Sequence, residues 1–428
     1  MLLKINNVGR LKPAEIKIDG LTVICGNNNT GKSTIGKLIY CIYSAFYEID
    51  LSIRKEKKDL IRRYLQMQLL SPNRWTVGTL NEAIEELIDL DSVSEKTVQT
   101  TVDNIMKKIS SAETRSTHQE IVEEVRRILL VDREEVIMTF LKRYLNTEFE
   151  GHLGNVNHPR KKTTVDLSIH DQHIAFSVTG VKEYVKIDRL MSLEKQIIYL
   201  DDPFVLDHVN DMYFAFPNHL NYGHRYQISD KIRSGRVYGE PRTAVEEVLH
   251  SQKLKDIIKK INDISDGEVA VEDGKLVYQH ANLQTSLGMS SLSTGVKTFL
   301  VLKELLVNGD IEENGIVVID EPEVHLHPEW QIKYAEVIVM LQKAYGLNIV
   351  LTTHSMDFLS ALVHYSKKYG IEDFCNYYLT EIDKGSGAES FPLAQLKWMN
   401  KDIQGMYASI AEPFDKLYKQ MDLEDAEL

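Results

Sequence analysis

The sequence predicts an α/β fold with a mainly helical insertion, and three patterns predict it. An apolar run from Leu21 to Cys25 stops at a loop of glycine and asparagine and is followed by helical spacing from Ile35 to Tyr47, as when a buried strand feeds a helix. From about 246 onward, helix, hairpin, helix, buried strand, helix and buried strand follow one another, the rhythm of a sheet covered by helices. Between these parts, from about 50 to 145, apolar residues recur at helical spacing.

Residues 2 to 25 open with alternating segments (LLKINNV, AEIKI) before the run LTVIC, so a strand-rich start is expected. The helical stretch carries Arg54-Lys55, Arg62-Arg63, Lys107-Lys108 and Arg126-Arg127 on mostly polar faces and is interrupted by Ser71-Pro72-Asn73. Residues 163 to 178 alternate with period two around His170-Asp171-Gln172, a hairpin pattern. Ile197 to Leu200 is a short strand ending at Asp201-Asp202-Pro203, and 209 to 245 is mixed loop and helix. EVAVEDGKLVYQ forms a second hairpin turning at Asp273-Gly274, and DLEDAEL closes the sequence as a frayed acidic tail. This divides the chain into 1–48, an insertion with hairpin at 49–189, a second α/β part at 190–374 and an extension at 375–428.

A net charge of −13 excludes a protein whose whole surface grips nucleic acid, although a local basic groove stays open. Cys25, Cys41 and Cys375 are odd in number and far apart, which fits a reducing compartment and neither a disulfide framework nor a zinc ribbon. The start, MLLKINNVGRLKP, lacks a basic-then-apolar signal pattern, and no run approaches the roughly 20 apolar residues of a membrane span. A cytoplasmic protein with no membrane partner is expected.

Gly26-Asn27-Asn28-Asn29-Thr30-Gly31-Lys32-Ser33 fits the phosphate-cradling pattern G-x-x-x-x-G-K-[ST], with a strand before it and a helix after it. Glycines let successive backbone N–H groups wrap a β-phosphate. Lys32 bridges β- and γ-phosphates, Ser33 binds Mg²⁺, and the first helical turn, including Thr34, adds the positive end of the helix. Asp320 and Glu321 end the apolar strand Gly315 to Ile319, where α/β sheets place ligands. Asp320 would hold Mg²⁺ through water and Glu321 would polarise the attacking water. Ser293-Thr294-Gly295 precedes an apolar helix, and such an N-terminus offers N–H groups and the Ser293 hydroxyl to a γ-phosphate held by another subunit. His354, in Leu351-Thr352-Thr353-His354-Ser355, ends an apolar strand where an imidazole can contact a γ-phosphate.

GNNNTGKS, LSTGVK, VVIDEPEVHLHP and TTHS, in that order, resemble the ABC-type ATPase heads of the overcoming-lysogenization-defect (OLD), RecF and SMC relatives, nearest to the stand-alone ATPases of prokaryotic defence systems. The resemblance covers about 1 to 48 and 190 to 375. It implies a P-loop NTPase, an ABC-type head with a mainly helical insertion, using ATP and Mg²⁺. By position, Gly26 to Thr34 would be the nucleotide loop, with Lys32 as the phosphate residue and Ser33 and Asp320 as metal residues. Ser293, Thr294 and Gly295 would be the signature acting in trans, and Lys32, Glu321 and His354 the catalytic set. It also implies a homodimer or higher oligomer that switches a separate effector nuclease in anti-phage defence, as in Septu-, PARIS- and retron-associated ATPase subunits. The alternative is a RecF-like repair or DNA-clamping ATPase, with DNA as a possible partner.

Some positions depart from that pattern. Thr294 stands where transporter heads have glycine, and no glutamine is assigned to the Q-loop, for which Gln66, Gln68 and the Asp201-Asp202 strand end are candidates. His325 and His327 suggest a zinc site but lack an apparent third ligand. The insertion has no Cys-x-x-Cys hook or sustained heptads, and folded back on itself it reaches only roughly 70 Å at about 1.5 Å per residue. The residues after His354 offer Glu381 and Asp383 but no Asp-x-Asp, so no Toprim nuclease is expected in this chain.

Overall fold

The computed structural model describes residues 1–68, 84–85, 95–108, 117–180, 184–210, 223–237, 244–383 and 391–427. These form two compact units, one of Met1–Ser44, Lys142–Met191 and Lys195–Leu428, the other of Ala45–Leu141 with Ser192–Glu194. Ser71-Pro72-Asn73 lies outside the described residues.

The first unit is built on three sheets. Strands β1 (Leu2–Asn6) and β2 (Ala14–Lys17) join β4 (Thr163–Ile169), β5 (Gln172–Thr179) and β6 (Tyr184–Arg189) in an antiparallel sheet of order β2-β1-β4-β5-β6. The expected hairpin turns at His170, whose φ is 51°. Because β4 pairs with β1, placing Lys4 opposite Asp166, residues 142–191 belong to the same unit as the α/β part.

The central sheet has the order β14-β13-β3-β12-β11-β7. Its strands are β3 (Leu21–Gly26), β7 (Ile197–Leu200), β11 (Ile316–Asp320), β12 (Asn348–Thr353), β13 (Cys375–Ile382) and β14 (Ala394–Trp398). Every pairing is parallel except β13 with β14, so five strands point their C-terminal ends to one edge. These strands are buried on both faces, which is why they read as apolar runs without alternation. The helices Thr294–Asn308, Pro328–Tyr345 and Met356–Tyr369 supply Phe299, Tyr334 and Phe358 to the same core as Val23, Ile319 and Leu351.

A third sheet of order β10-β9-β8 contains β8 (Glu268–Glu272), β9 (Lys275–Gln279) and β10 (Leu287–Gly288). The β8–β9 turn has φ of 49° at Asp273 and 74° at Gly274, the two positive values a two-residue hairpin loop requires.

The second unit is helical as far as it is described, with its own core where Ile61 and Leu65 meet Val98, Val102, Ile121, Val125 and Ile128. Its helix His118–Leu129 opens with a capping box between Thr117 and Glu120. No helix among the described residues is long and apolar enough to cross a membrane. The tail differs from the expectation of fraying. Ile403–Glu427 is one helix, with Met406 and Ile410 buried near its start.

Candidate functional site

Strand register assembles the site at the C-terminal edge of the central sheet. β3 lies between β13 and β12, with Gly26 opposite Thr380 and Cys25 opposite Thr353. β11 lies on the far side of β12 and places Asp320 opposite Thr352. The loop after β3, the acidic end of β11 and the TTHS segment are therefore neighbours by construction.

In the loop Gly26-Asn27-Asn28-Asn29-Thr30-Gly31, the three asparagines are exposed and Thr30 is buried. Gly26 has φ 148°, and a Cβ there would lie 2.2 Å from Thr380 Oγ1 and 2.4 Å from the Thr380 carbonyl oxygen. Only glycine fits, as backbone wrapped this tightly demands. The Thr30 hydroxyl is taken by Thr380 Oγ1 at 2.6 Å and by the Asn27 carbonyl at 2.8 Å, so it closes the loop from within. The helix Lys32–Phe46 begins directly afterwards, leaving the first-turn N–H groups, those of Lys32, Ser33 and Thr34, facing the loop. Arg10, which sequence reading passed over, sets its guanidinium against the Asn29 carbonyl and donates to the Pro392 carbonyl at 2.9 Å.

Lys32 is 3% exposed, and its ammonium is held by the carbonyls of Gly26 and Asn27, each at 3.0 Å, and by Glu321 Oε1 at 3.0 Å. Ser33 Oγ donates to Asp320 Oδ1 at 3.1 Å. Thr352 Oγ1 donates to the same oxygen and accepts from the Glu321 N–H at 3.0 Å, while Tyr199 OH donates to Asp320 Oδ2 at 3.1 Å. Burial pushes the Asp320 carboxyl up from the ordinary carboxylate range, against these three hydroxyl donors. A buried carboxylate beside a serine hydroxyl is a set of hard oxygen donors that suits Mg²⁺.

Glu321 sits in left-handed backbone, φ 46° and ψ 50°, which turns its carboxylate out of the strand direction toward Lys32 and His354. His354 and then Lys32, acting against burial, bring the Glu321 carboxyl down to about 2. His354 Nδ1 stands 3.6 Å from Glu321 Oε2, an electrostatic contact and not a hydrogen bond, and 3.3 Å from Glu323 Oε1. The imidazole pKa is raised, chiefly by Glu321. Glu323, without a role in the sequence reading, is buried and accepts from Thr353 Oγ1 at 2.6 Å and the His354 N–H at 2.8 Å, fixing the chain that carries His354.

Ser293 precedes the helix Thr294–Asn308, and its side chain makes no capping bond. It is exposed, whereas Gly295 is buried with Trp330 so close that a Cβ would lie 2.6 Å from the ring. Lys297 is buried and binds Asp207 Oδ1 at 2.5 Å.

Among the Q-loop candidates, Gln66 and Gln68 lie on the helix Ile49–Gln68 of the second unit, while Asp201 is bonded to Arg225 and Asp202 caps the turn Pro203–Asp207. His327 accepts from the Glu329 N–H at 3.4 Å and His325 packs edge-on against Phe204, so the two imidazoles serve different neighbours. Glu381 pairs with Lys397 at 2.6 Å and Asp383 with Lys12. Tyr199, Thr352, Glu323 and Thr380 are the site residues without a role in the sequence reading. A buried tyrosine in the aliphatic strand IIYL was the one available signal, since its hydroxyl needs a partner.

A family model described as "AAA ATPase domain" matches residues 1–359. Among solved structures, the SMC head domain from Thermotoga maritima is 11% identical over 93% of this chain and 98% of its own, with a TM-score of 0.38. An SMC head bound to the C-terminal winged-helix domain of ScpA is 9% identical over 93% and 96%, TM-score 0.43. An SMC head with an extended coiled coil, bound to the C-terminal domain of ScpA derived from Pyrococcus furiosus, is 8% identical over 98% of each chain, TM-score 0.40.

Proposed function

The chain belongs to the AAA ATPase domain family, and from that premise we propose that it binds Mg-ATP on the Gly26–Thr34 loop, hydrolyses it with Glu321, and works as a switch by sandwiching nucleotide between two copies. The observation that carries this reading is the division of labour in the acidic pair, with Asp320 on Ser33 at 3.1 Å and Glu321 on Lys32 at 3.0 Å. One carboxylate is placed for the cation and the other for the reaction.

In this reading a bound Mg²⁺ would supply charge neutralisation at the phosphates. Ser33 and Asp320 hold the cation, and Lys32 turns from the loop carbonyls to the β- and γ-phosphates. Glu321, freed of Lys32, polarises the water that attacks the γ-phosphate. His354 stands between Glu321 and Glu323, placed to register the γ-phosphate and its loss. Ser293, exposed and free of its own helix cap, is available to a γ-phosphate held by a second copy.

A head that closes on ATP and opens after hydrolysis biases any partner that distinguishes the two states. We assign the chain the role of controlling a separate effector, a nuclease of an anti-phage system.

Two variants test the assignment. Lys32→Ala is expected to lose ATP affinity. Glu321→Gln is expected to keep affinity, lose about 100-fold or more in turnover, and accumulate an ATP-bound assembly that light scattering reads as a rise in mass. Wild-type turnover by Glu321→Gln would remove Glu321 from the mechanism.

A further inference from the structure

Tyr199 is the one aromatic residue of β7, the edge strand beside β11, and the register sets it opposite Val318, two residues before Asp320. Its ring is 1% exposed, and its hydroxyl donates to Asp320 Oδ2, the carboxylate oxygen that Ser33 and Thr352 leave free. The ring stacks on the His224 imidazole, with centroids 4.3 Å apart and planes 25° from parallel. That imidazole lies between two carboxylates, its Nδ1 hydrogen-bonded to Glu148 at 2.8 Å and its Nε2 in an ion-pair contact with Asp201 at 2.9 Å. Glu148 also accepts from the His224 N–H at 3.1 Å, and Arg225 anchors Asp201 at 2.7 Å. Turning the ring would break the charge-assisted bond to Glu148 and move Nε2 away from Asp201, so the platform under Tyr199 is held in place.

Phenylalanine would fill the same volume and keep the stack, so packing alone gives no reason for a hydroxyl on this strand. What the hydroxyl adds is a second anchor on one carboxylate. Once Ser33 turns its oxygen to a cation, Thr352 on Oδ1 and Tyr199 on Oδ2 are the two donors left to hold the Asp320 plane. A carboxylate held at both oxygens presents a cation, or its water, with one orientation instead of a range.

We infer that Tyr199, seated on the clamped His224 ring, is a positioning residue that orients Asp320 for the divalent cation of a bound nucleotide. The inference rests on the nucleotide site proposed above. It is tested by the affinity of the full chain for mant-ATP, measured once with Mg²⁺ and once with EDTA, so that the quantity read is the tightening due to magnesium. Wild-type affinity indifferent to magnesium overturns the site reading itself and this inference with it. With a magnesium-responsive wild type, Tyr199→Phe is expected to lose about 10-fold or more of the tightening while its EDTA affinity stays at the wild-type value and its melting midpoint falls modestly with the lost buried bond. A purely structural role would weaken the EDTA and the magnesium affinities alike and leave the tightening unchanged. In an Asp320→Asn background Tyr199→Phe should cost nothing further, because it acts through that carboxylate. Retention of the full magnesium effect by Tyr199→Phe overturns the inference. If that variant does not fold, Glu148→Gln, which leaves both rings in place and loosens one side of the clamp, carries the test. A loss in the same direction supports the inference, and an unchanged magnesium effect overturns it.

Discussion

Gly26 is the residue on which the Gly26–Gly31 loop turns, and its constraint is steric. At φ 148° a side chain is strained, and a Cβ there would meet both the hydroxyl and the carbonyl oxygen of Thr380 at 2.2 and 2.4 Å. Gly26→Ala is therefore expected to cost on the order of 2 kcal/mol, seen as a lower melting midpoint, and to weaken ATP binding because β3 and β13 must part locally. Thr380→Ala should not rescue it, since the backbone carbonyl remains in the way. Full stability and affinity in Gly26→Ala would show that the loop has room. The glycine and its motif were legible in the sequence, because eight residues in a row state the pattern. Its reason was not, because Thr380 lies 350 residues beyond Thr30, the loop residue it holds. Thr352 and Glu323 were hidden for a related cause. Each stood inside a recognised motif, but its contact depends on how β11 is registered on β12.

At the scale of elements, the helix His224–Val237 meets β7 through one buried charge. Its first residue faces Glu148, at the end of the helix Arg133–Phe149, and Asp201, at the end of β7, with Arg225 behind Asp201 and the rings of Tyr40 and Tyr199 against it. Burial alone would discharge His224, but its bonds to Asp201 and Glu148 raise it from 6.5 to about 9. A raised pKa contributes stability that is fully present below 6.5 and is lost as pH rises through about 9. Burial opposes the charge on Asp201 too, yet His224 and Arg225 bring it from 3.8 to about 2, so its contribution is present above 3.8 and is lost as pH falls through about 2. His224→Gln should accordingly melt below wild type by several degrees near pH 6, and the gap should narrow toward pH 9. A gap independent of pH would mean that the imidazole is neutral and only packs. Apolar runs disclosed the parallel strands, as they do when both faces are buried. Alternation disclosed the hairpin His170 turns, but not its partner, since β1 and β4 pair across some 160 residues of intervening chain. The end DLEDAEL was read as frayed from its acidic composition, whereas the helix Ile403–Glu427 runs on through it to Glu427.

For the whole molecule, the open question is whether one chain holds a complete site. Lys32, Ser33, Asp320, Glu321 and His354 meet within one unit through strand register and direct contacts. Ser293 joins none of them. Its side chain does not cap the helix it begins, it is exposed, and the residues after it are committed elsewhere, Gly295 to Trp330 and Lys297 to Asp207. A helix N-terminus anchored so firmly and left unused is suited to a γ-phosphate brought by another copy, which is the shared-site reading. In a twofold dimer that reading gives two composite sites, each with a loop from one subunit and a Ser293 from the other. Lys32→Ala destroys the loop and Ser293→Arg blocks the signature, so each homodimer is expected to be inactive. A mixed dimer brings the intact loop of the Ser293→Arg chain to the intact Ser293 of the Lys32→Ala chain, restoring one site of two. With random pairing, half the dimers are mixed, and the mixture should recover about a quarter of wild-type ATPase activity. The measurement is ATP turnover across mixing ratios, with heterodimers verified by differently tagged chains. Verified heterodimers without turnover at any ratio would overturn the shared site and return Ser293 to a purely local role at the start of its helix.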